Sequence, residues 1–133
     1  MSATTLKHHT ATPLADPMMV QTAVIEHIQY ETHDIATYSL VFTDPEVGKK
    51  YRYLPGQFNM LYLPGIGEVA ISISSDPGEP NTLLHTIREA GNVTTAMSHL
   101  KKGDTIGVRG PFGSAWPVDR AEGNDLIIVG GGI

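Results

Sequence analysis

The chain of 133 residues has no cysteine. Disulfides, thiolate zinc sites and cysteine-ligated clusters are therefore excluded within it, while the redox compartment stays open. Nor is there an excess of basic charge. Nine Lys and Arg stand against fourteen Asp and Glu, a net charge of −5. With no basic stripe interleaved with aromatics, this argues against a nucleic-acid or anionic-membrane surface. No apolar run approaches the ~18 residues of a membrane span. The first residues, Met1 to Lys7, lack the long apolar core of a secretory signal, so the cytoplasm is the expected location. Ser-His-Asp constellations, metal-ligand spacings, paired carboxylates, internal repeats and low-complexity tracts are missing too.

What remains is β text punctuated by fourteen glycines and nine prolines. Residues 1–18 are polar, carry Pro13 and Pro17, and read as a flexible arm. The adjacent His8 and His9 have no carboxylate or thiol nearby and read as a solvated pair rather than a metal site. Strands are predicted over 20–30, 35–43, 57–63, 68–75, 82–89 and 104–109. In the second, Ala36, Tyr38, Leu40 and Phe42 share one face at a period of two. Asp44-Pro45 with Gly48 predicts a loop, and Pro64-Gly65-Ile66-Gly67 a hairpin connection. Val93, Ala96, Met97 and Leu100 predict one short helix over 92–100, with Lys101 and Lys102 suiting its dipole and Gly103 its stop. Gly110-Pro111 is expected to end the sixth strand. Six short strands with one helix before the last predict an all-β, six-stranded antiparallel Greek-key barrel, closed so that edges are not exposed.

The last eight residues, Leu126-Ile-Ile-Val-Gly-Gly-Gly-Ile133, have another character. An unbroken apolar run feeding into glycines suits a buried parallel strand entering a nucleotide-binding turn. No helix and no acidic ribose-binding residue follow. The expected organisation is an arm over 1–18, a barrel domain over 19–120, and over 121–133 the first strand of a truncated α/β nucleotide-binding domain. A Gly-rich tail after an edge strand is the alternative.

Four segments in order carry a family resemblance: Pro55-Gly56-Gln57-Phe58, Val69 to Ser75, Ile87 to Thr95, and Gly110-Pro111-Phe112-Gly113. Over roughly residues 20–133 the chain resembles the flavin-binding barrel of the ferredoxin–NADP reductase superfamily. Gly67 to Ser75, Arg88 to Thr95 and Val108 to Gly113 look most like gamma subunits of cytoplasmic NiFe hydrogenases of the sulfhydrogenase type. The electron-transfer subunits of dihydroorotate dehydrogenase and of anaerobic sulfite reductase are similar. The resemblance implies FAD here, with NAD(P) and a 2Fe–2S cluster in a missing C-terminal part that would supply the cysteines. It also implies redox partner subunits, hydrogenase-type or iron–sulfur proteins.

Flavin binding requires an apolar ring held with its N5 edge accessible and a doubly charged pyrophosphate neutralised. The family pattern Arg-x-Tyr-Ser falls on Val69 to Ser72. Ile71 replaces the ring-packing Tyr, Ser72 keeps the hydroxyl, and Val69 replaces the Arg. Plain strand alternation, Ile inward and Ser outward, accounts for the same pair. Thr86, Ile87 and Arg88 match a strand lining the ribityl and adenosine side in relatives. Arg88 is the candidate to compensate for Val69, or else a solvated strand charge. Gly91, Val93, Thr94 and Thr95 form a glycine turn opening a helix, which offers free N–H groups and hydroxyls to a phosphate; Thr94 alternatively serves as a cap. His85 and His99 read as structural, Phe112 and Trp116 as core packing or else as flanking the flavin or the domain seam, Asp76 and Glu79 as turn polarity and solubility. No catalytic residue or metal ligand is expected, since the cofactor carries the hard chemistry. The reading is the FAD-binding part of an electron-transfer subunit working between NAD(P)H and iron–sulfur centres. A stand-alone flavin or oxygenase reductase and a cofactor-free assembly module are the alternatives. Residues 1–133 alone are not expected to catalyse hydride transfer.

Overall fold

The computed structural model describes residues 16–133. His8, His9 and most of the expected arm lie outside the described residues. The strands are β1 (Gln21–Tyr30), β2 (Ile35–Phe42), β3 (Phe58–Leu63), β4 (Gly67–Ser72), β5 (Leu83–Arg88) and β6 (Thr105–Phe112). They form one sheet in the order β4-β3-β6-β1-β2-β5, every pair antiparallel. The outer strands β4 and β5 curl towards each other, and just beyond β4 the Ser74 N–H donates to the Leu84 carbonyl at 2.9 Å. That contact turns an open sheet into a barrel and covers its edges.

Alternation fills the interior. Ala36, Tyr38, Leu40 and Phe42 are all buried, as the period of two requires. Ile25, Leu61, Ile106 and Val108 meet them from β1, β3 and β6, each 2 % exposed or less. Each such side chain contributes about 1.5–3 kcal/mol of burial. Helix α2 (Asn92–Ser98) closes one side by sending Met97 into the core. The Tyr38 hydroxyl donates to the Met97 carbonyl at 3.2 Å, which ties the helix to β2.

Several expectations need correction. The loop predicted after β2 is a helix, α1 (Pro45–Lys50). Asp44 caps it by accepting from the Glu46 N–H at 2.8 Å, Pro45 sits in its first turn, and Lys49 and Lys50 close it. These signals outweigh Gly48, which costs only about 1 kcal/mol in a helix. Helix α2 stops at Ser98 with His99 as its cap, so Lys101 and Lys102 lie past its end; Gly103 serves the turn into β6 instead. The sixth strand does not end at Gly110-Pro111 but runs to Phe112. Its register against β3 shifts between Phe58 and Met60, so Gly110 and Pro111 occupy a bulge, where the missing N–H of proline costs no ladder bond. The strand expected over 126–129 is not formed. Leu126, Ile127, Ile128 and Val129 are 64, 89, 70 and 92 % exposed, and the described residues place no neighbouring strand beside them. Trp116 is likewise not core: it is 62 % exposed and lies over Gly56.

The bulge positions a buried polar chain. Asn59 and His85 are both fully buried, and Tyr51 nearly so. The Tyr51 hydroxyl donates to Asn59 Oδ1 at 2.7 Å, and Asn59 Nδ2 faces His85 Nε2 at 3.3 Å. His85 Nδ1 lies 3.0 Å from the Ser72 carbonyl oxygen. A carbonyl only accepts, so Nδ1 carries the proton, Nε2 is bare, and the amide donates to it. Burial pushes the Tyr51 hydroxyl pKa up and keeps it a donor. Burial likewise pulls the His85 pKa from its ordinary 6.5 to about 4, against hydrogen bonds to the Ser72 and Ile71 backbone. The imidazole is therefore neutral at physiological pH.

Two outcomes are expected. Gly110 has φ +139, and a Cβ there would fall on Asn59 Oδ1. Gly110→Ala should lower the unfolding free energy by about 3 kcal/mol, from backbone strain plus overpacking, in a urea titration. Between pH 6.5 and 4 the unfolded chain binds a proton at His85 that the folded chain refuses. Stability from this group is complete above 6.5 and falls on acidification through that window, by roughly 3 kcal/mol in all. Urea titrations at several pH values should resolve that loss in the wild type and its absence in His85→Gln.

Candidate functional site

Three of the four motif segments meet at one end of the barrel. In the ladders, Phe58 of β3 stands opposite Ser72 of β4 on one side and Phe112 of β6 on the other. The Phe58 and Phe112 rings lie 5.8 Å apart between centroids, tilted by 41°, a favourable aromatic arrangement. Gln57 locks the two loops together. Its Nε2 donates to the Gly113 carbonyl at 3.0 Å, and its Oε1 accepts from the Leu54 N–H at 2.8 Å. The Trp116 N–H donates to the Pro55 carbonyl at 2.8 Å, and its indole covers Gly56, leaving no room for a side chain where a φ of +92 already favours glycine. Segments more than fifty residues apart thus form one platform, with the Ser72 hydroxyl on its exposed rim.

Strand β4 connects this platform to α2. Ile71 is half-buried and packs against the core together with Val69 and Ile73, while Ser72 faces out. At the other end of β4, Gly67 approaches the Val93 side chain in the first turn of α2. The six residues of β4 span about 17 Å. The first bond of α2 runs from the Thr95 N–H to the Gly91 carbonyl at 2.8 Å, which leaves the N–H groups of Asn92, Val93 and Thr94 without intrahelical partners. Thr94 is buried, and its hydroxyl is committed locally. It accepts from the Ala90 and Gly91 N–H groups at 2.8 and 2.9 Å and donates to the Gly91 carbonyl at 3.0 Å. It shapes the turn rather than reaching outward, whereas Thr95 is half-buried beside it.

The β5 residues divide. Ile87 is 4 % exposed and belongs to the core, so only its backbone can face a ligand. The Thr86 hydroxyl stands in a ladder, 2.9 Å from that of Thr37 and 3.1 Å from that of Ser74, bracing β2, β5 and the end of β4. Arg88 is half-exposed, with Nε 3.9 Å from Asp34 Oδ2, a loose pair that leaves its other donors available. His85 is buried with both ring nitrogens bonded, and His99 is exposed with Nδ1 donating to the Thr95 carbonyl at 2.8 Å.

Sequence reasoning missed one cation. Arg109 on β6 grips Glu68 with Nε and Nη2 at 2.9 and 2.6 Å and lies 5.4 Å from the Phe112 ring centroid. The Arg109 hydrogen bond holds the Glu68 carboxyl pKa below its ordinary value. The pair reaches diagonally across β3, which no spacing in the sequence announces. A groove of about 640 Å³ opens between α1 and the loop before β5, lined by residues such as Tyr51, Tyr53, Lys49 and Pro80. It includes none of the expected site residues.

No family model matches the chain. It is 49 % identical over 92 residues to the gamma subunit of sulfhydrogenase 1 of Pyrococcus furiosus, covering 69 % of this chain and 32 % of that protein. It is 35 % identical over 111 residues to a probable dihydroorotate dehydrogenase B (NAD(+)) electron transfer subunit of Methanocella arvoryzae, covering 84 % and 38 %. The chain therefore spans about a third of the length of the curated relatives it matches. Among solved structures, a variant of the ferredoxin–NADP+ reductase of Plasmodium falciparum superposes with a TM-score of 0.64 at 17 % identity, over 85 % of this chain and 47 % of that one. An NADH-dependent reduced ferredoxin–NADP oxidoreductase gives 0.59 at 26 % identity, over 71 % and 33 %. The barrel is of the ferredoxin–NADP reductase kind, and the chain is a homologue of sulfhydrogenase gamma subunits and of dihydroorotate dehydrogenase B electron-transfer subunits.

Proposed function

We propose that the barrel is the FAD-binding part of an oxidoreductase electron-transfer subunit that works between NAD(P)H and the iron–sulfur centres of a partner such as a NiFe hydrogenase. The observation that carries this reading is the joining by β4 of two unlike ends. One is an aromatic platform with an exposed hydroxyl at Ser72; the other is a helix start with free N–H groups at Asn92, Val93 and Thr94. That donor set fits a flavin dinucleotide. When bound, FAD supplies the exchange between two-electron and one-electron carriers.

The chain's own residues bind and orient. Ser72 presents its hydroxyl to the ring edge, Ile71 supplies aliphatic packing, and Phe58 and Phe112 keep water from one flank. The N–H groups at the start of α2, with Gly91 allowing close approach and Thr95 adding a hydroxyl, take the pyrophosphate. Arg88 supplies the positive charge that Val69 does not. Thr86 and Ile87 hold the shape of the β5 wall, and Val93 seats the helix on β4. The transfer demands no proton donor from a side chain, and His85, neutral and enclosed, is not placed to be one. Residues 121–133 lead, on this reading, into a NAD(P)-binding domain, and a 2Fe–2S cluster belongs outside this cysteine-free segment. The described residues contain no helix long and apolar enough to cross a membrane, and a cytoplasmic location forms part of the proposal.

The purified chain should show flavin absorption bands, or acquire them with added FAD, and release FAD on denaturation. Ser72→Ala should weaken FAD binding about tenfold in a fluorescence titration, the loss of one hydrogen bond at the ring. A chain that takes up no FAD would refute the reading and favour a cofactor-free assembly module.

A further inference from the structure

The buried chain Tyr51–Asn59–His85 has no evident purpose as a source of stability. A hydrophobic side chain in the middle of the barrel would avoid burying three polar groups, and such replacements are often neutral or stabilising. Its far end gives a better reason. His85 Nδ1 donates to the carbonyl of Ser72 at 3.0 Å. Ser72 is the residue at which β4 reaches the platform, opposite Phe58. Strand β4 is laddered only to β3; on the β5 side this imidazole holds Ser72, and just beyond the strand Ser74 and Ser75 bond to Leu84 and Thr86. At Ser72, then, a side chain from β5 does what a neighbouring strand would otherwise do.

The imidazole cannot drift. Its Nε2 is held by Asn59, which lies in the β3–β6 bulge, and Asn59 Oδ1 is held in turn by Tyr51 just after α1. Every donor in the sequence has one acceptor, so the chain has a single direction and a single tautomer. The carbonyl and the side chain of Ser72 hang from the same backbone, and anchoring one limits where the other points.

We propose that Tyr51, Asn59 and His85 are positioning residues that aim the Ser72 hydroxyl at the flavin edge; the proposal rests on the flavin reading above. None of the three touches the ligand. They act through the Ser72 backbone, from inside the barrel, on a group that faces out.

A double-mutant cycle in the full chain tests this, with FAD affinity read by flavin fluorescence and apo-protein folding by thermal melting. His85→Leu should weaken FAD binding about tenfold, as Ser72→Ala does, and the double variant should be no weaker than either, because both remove one contact. His85→Gln, whose amide offers a donor and an acceptor, should restore affinity to within about threefold of wild type. Should His85→Leu fail to fold, Tyr51→Phe loosens the same chain from its far end; it should weaken binding about threefold, and not at all in a Ser72→Ala background. Unchanged FAD affinity in His85→Leu or Tyr51→Phe, with or without a lower melting temperature, overturns the proposal. So do His85 and Ser72 losses that multiply. Wild-type protein that binds no FAD overturns the parent reading instead, and this one with it.

Discussion

A six-stranded barrel has an interior too narrow to hydrate, so every polar atom placed inside must find a partner from the protein. The fold meets that demand at Asn59. The β3–β6 bulge makes space beside Gly110 for its amide, and the amide then joins Tyr51 below to His85 above. Among the described residues no buried side-chain nitrogen or oxygen lacks a partner. Remove any link and a donor or acceptor is stranded at a cost of about 1–3 kcal/mol. The bulge, the glycine at its centre and the closure of β4 on β5 are parts of one arrangement.

The platform at the barrel end depends on that arrangement. Phe58 immediately precedes Asn59, and Phe112 follows the bulge, so the residues that bond inward and those that face the rim alternate along the same strands. Gln57 then secures the outer loops from one side of the bulge to the other. Rigid support beneath a shallow surface suits a site whose polar contacts are few and must be well aimed.

Much of this was legible in the sequence, for definite reasons. The alternation Ala36, Tyr38, Leu40, Phe42 specifies a half-buried strand wherever it occurs, and the hairpin at Pro64-Gly65 is local chemistry. The ordered motifs pointed to the right barrel because each marks a strand end, a turn or a bulge at a fixed place in the strand order. Helix α1 was hidden by Gly48, although Asp44, Pro45 and the terminal lysines announced it. The continuation of β6 through Pro111 could not be read locally, since it depends on Asn59 some fifty residues earlier. The same holds for the Arg109–Glu68 grip and for the tautomer of His85, both products of three strands meeting. For the candidate site, the sequence supplies positions rather than orientations: spacing marked Thr94 and Ile87 as candidates, but only packing reveals that one hydroxyl is spent on its own turn and the other side chain faces the core.

Trp116 gives the platform an optical signature. It is the only tryptophan in the chain, and its half-open indole lies on Gly56, held by its own backbone bond to Pro55. All indole emission from the protein therefore originates at the barrel rim. Whatever settles there, a ring, a neighbouring domain or another subunit, must alter the polarity and quenching felt by that one fluorophore. With excitation at wavelengths that tyrosine does not absorb, the colour of the indole emission is thus a report on a single surface, without background from the buried Tyr38 and Tyr51.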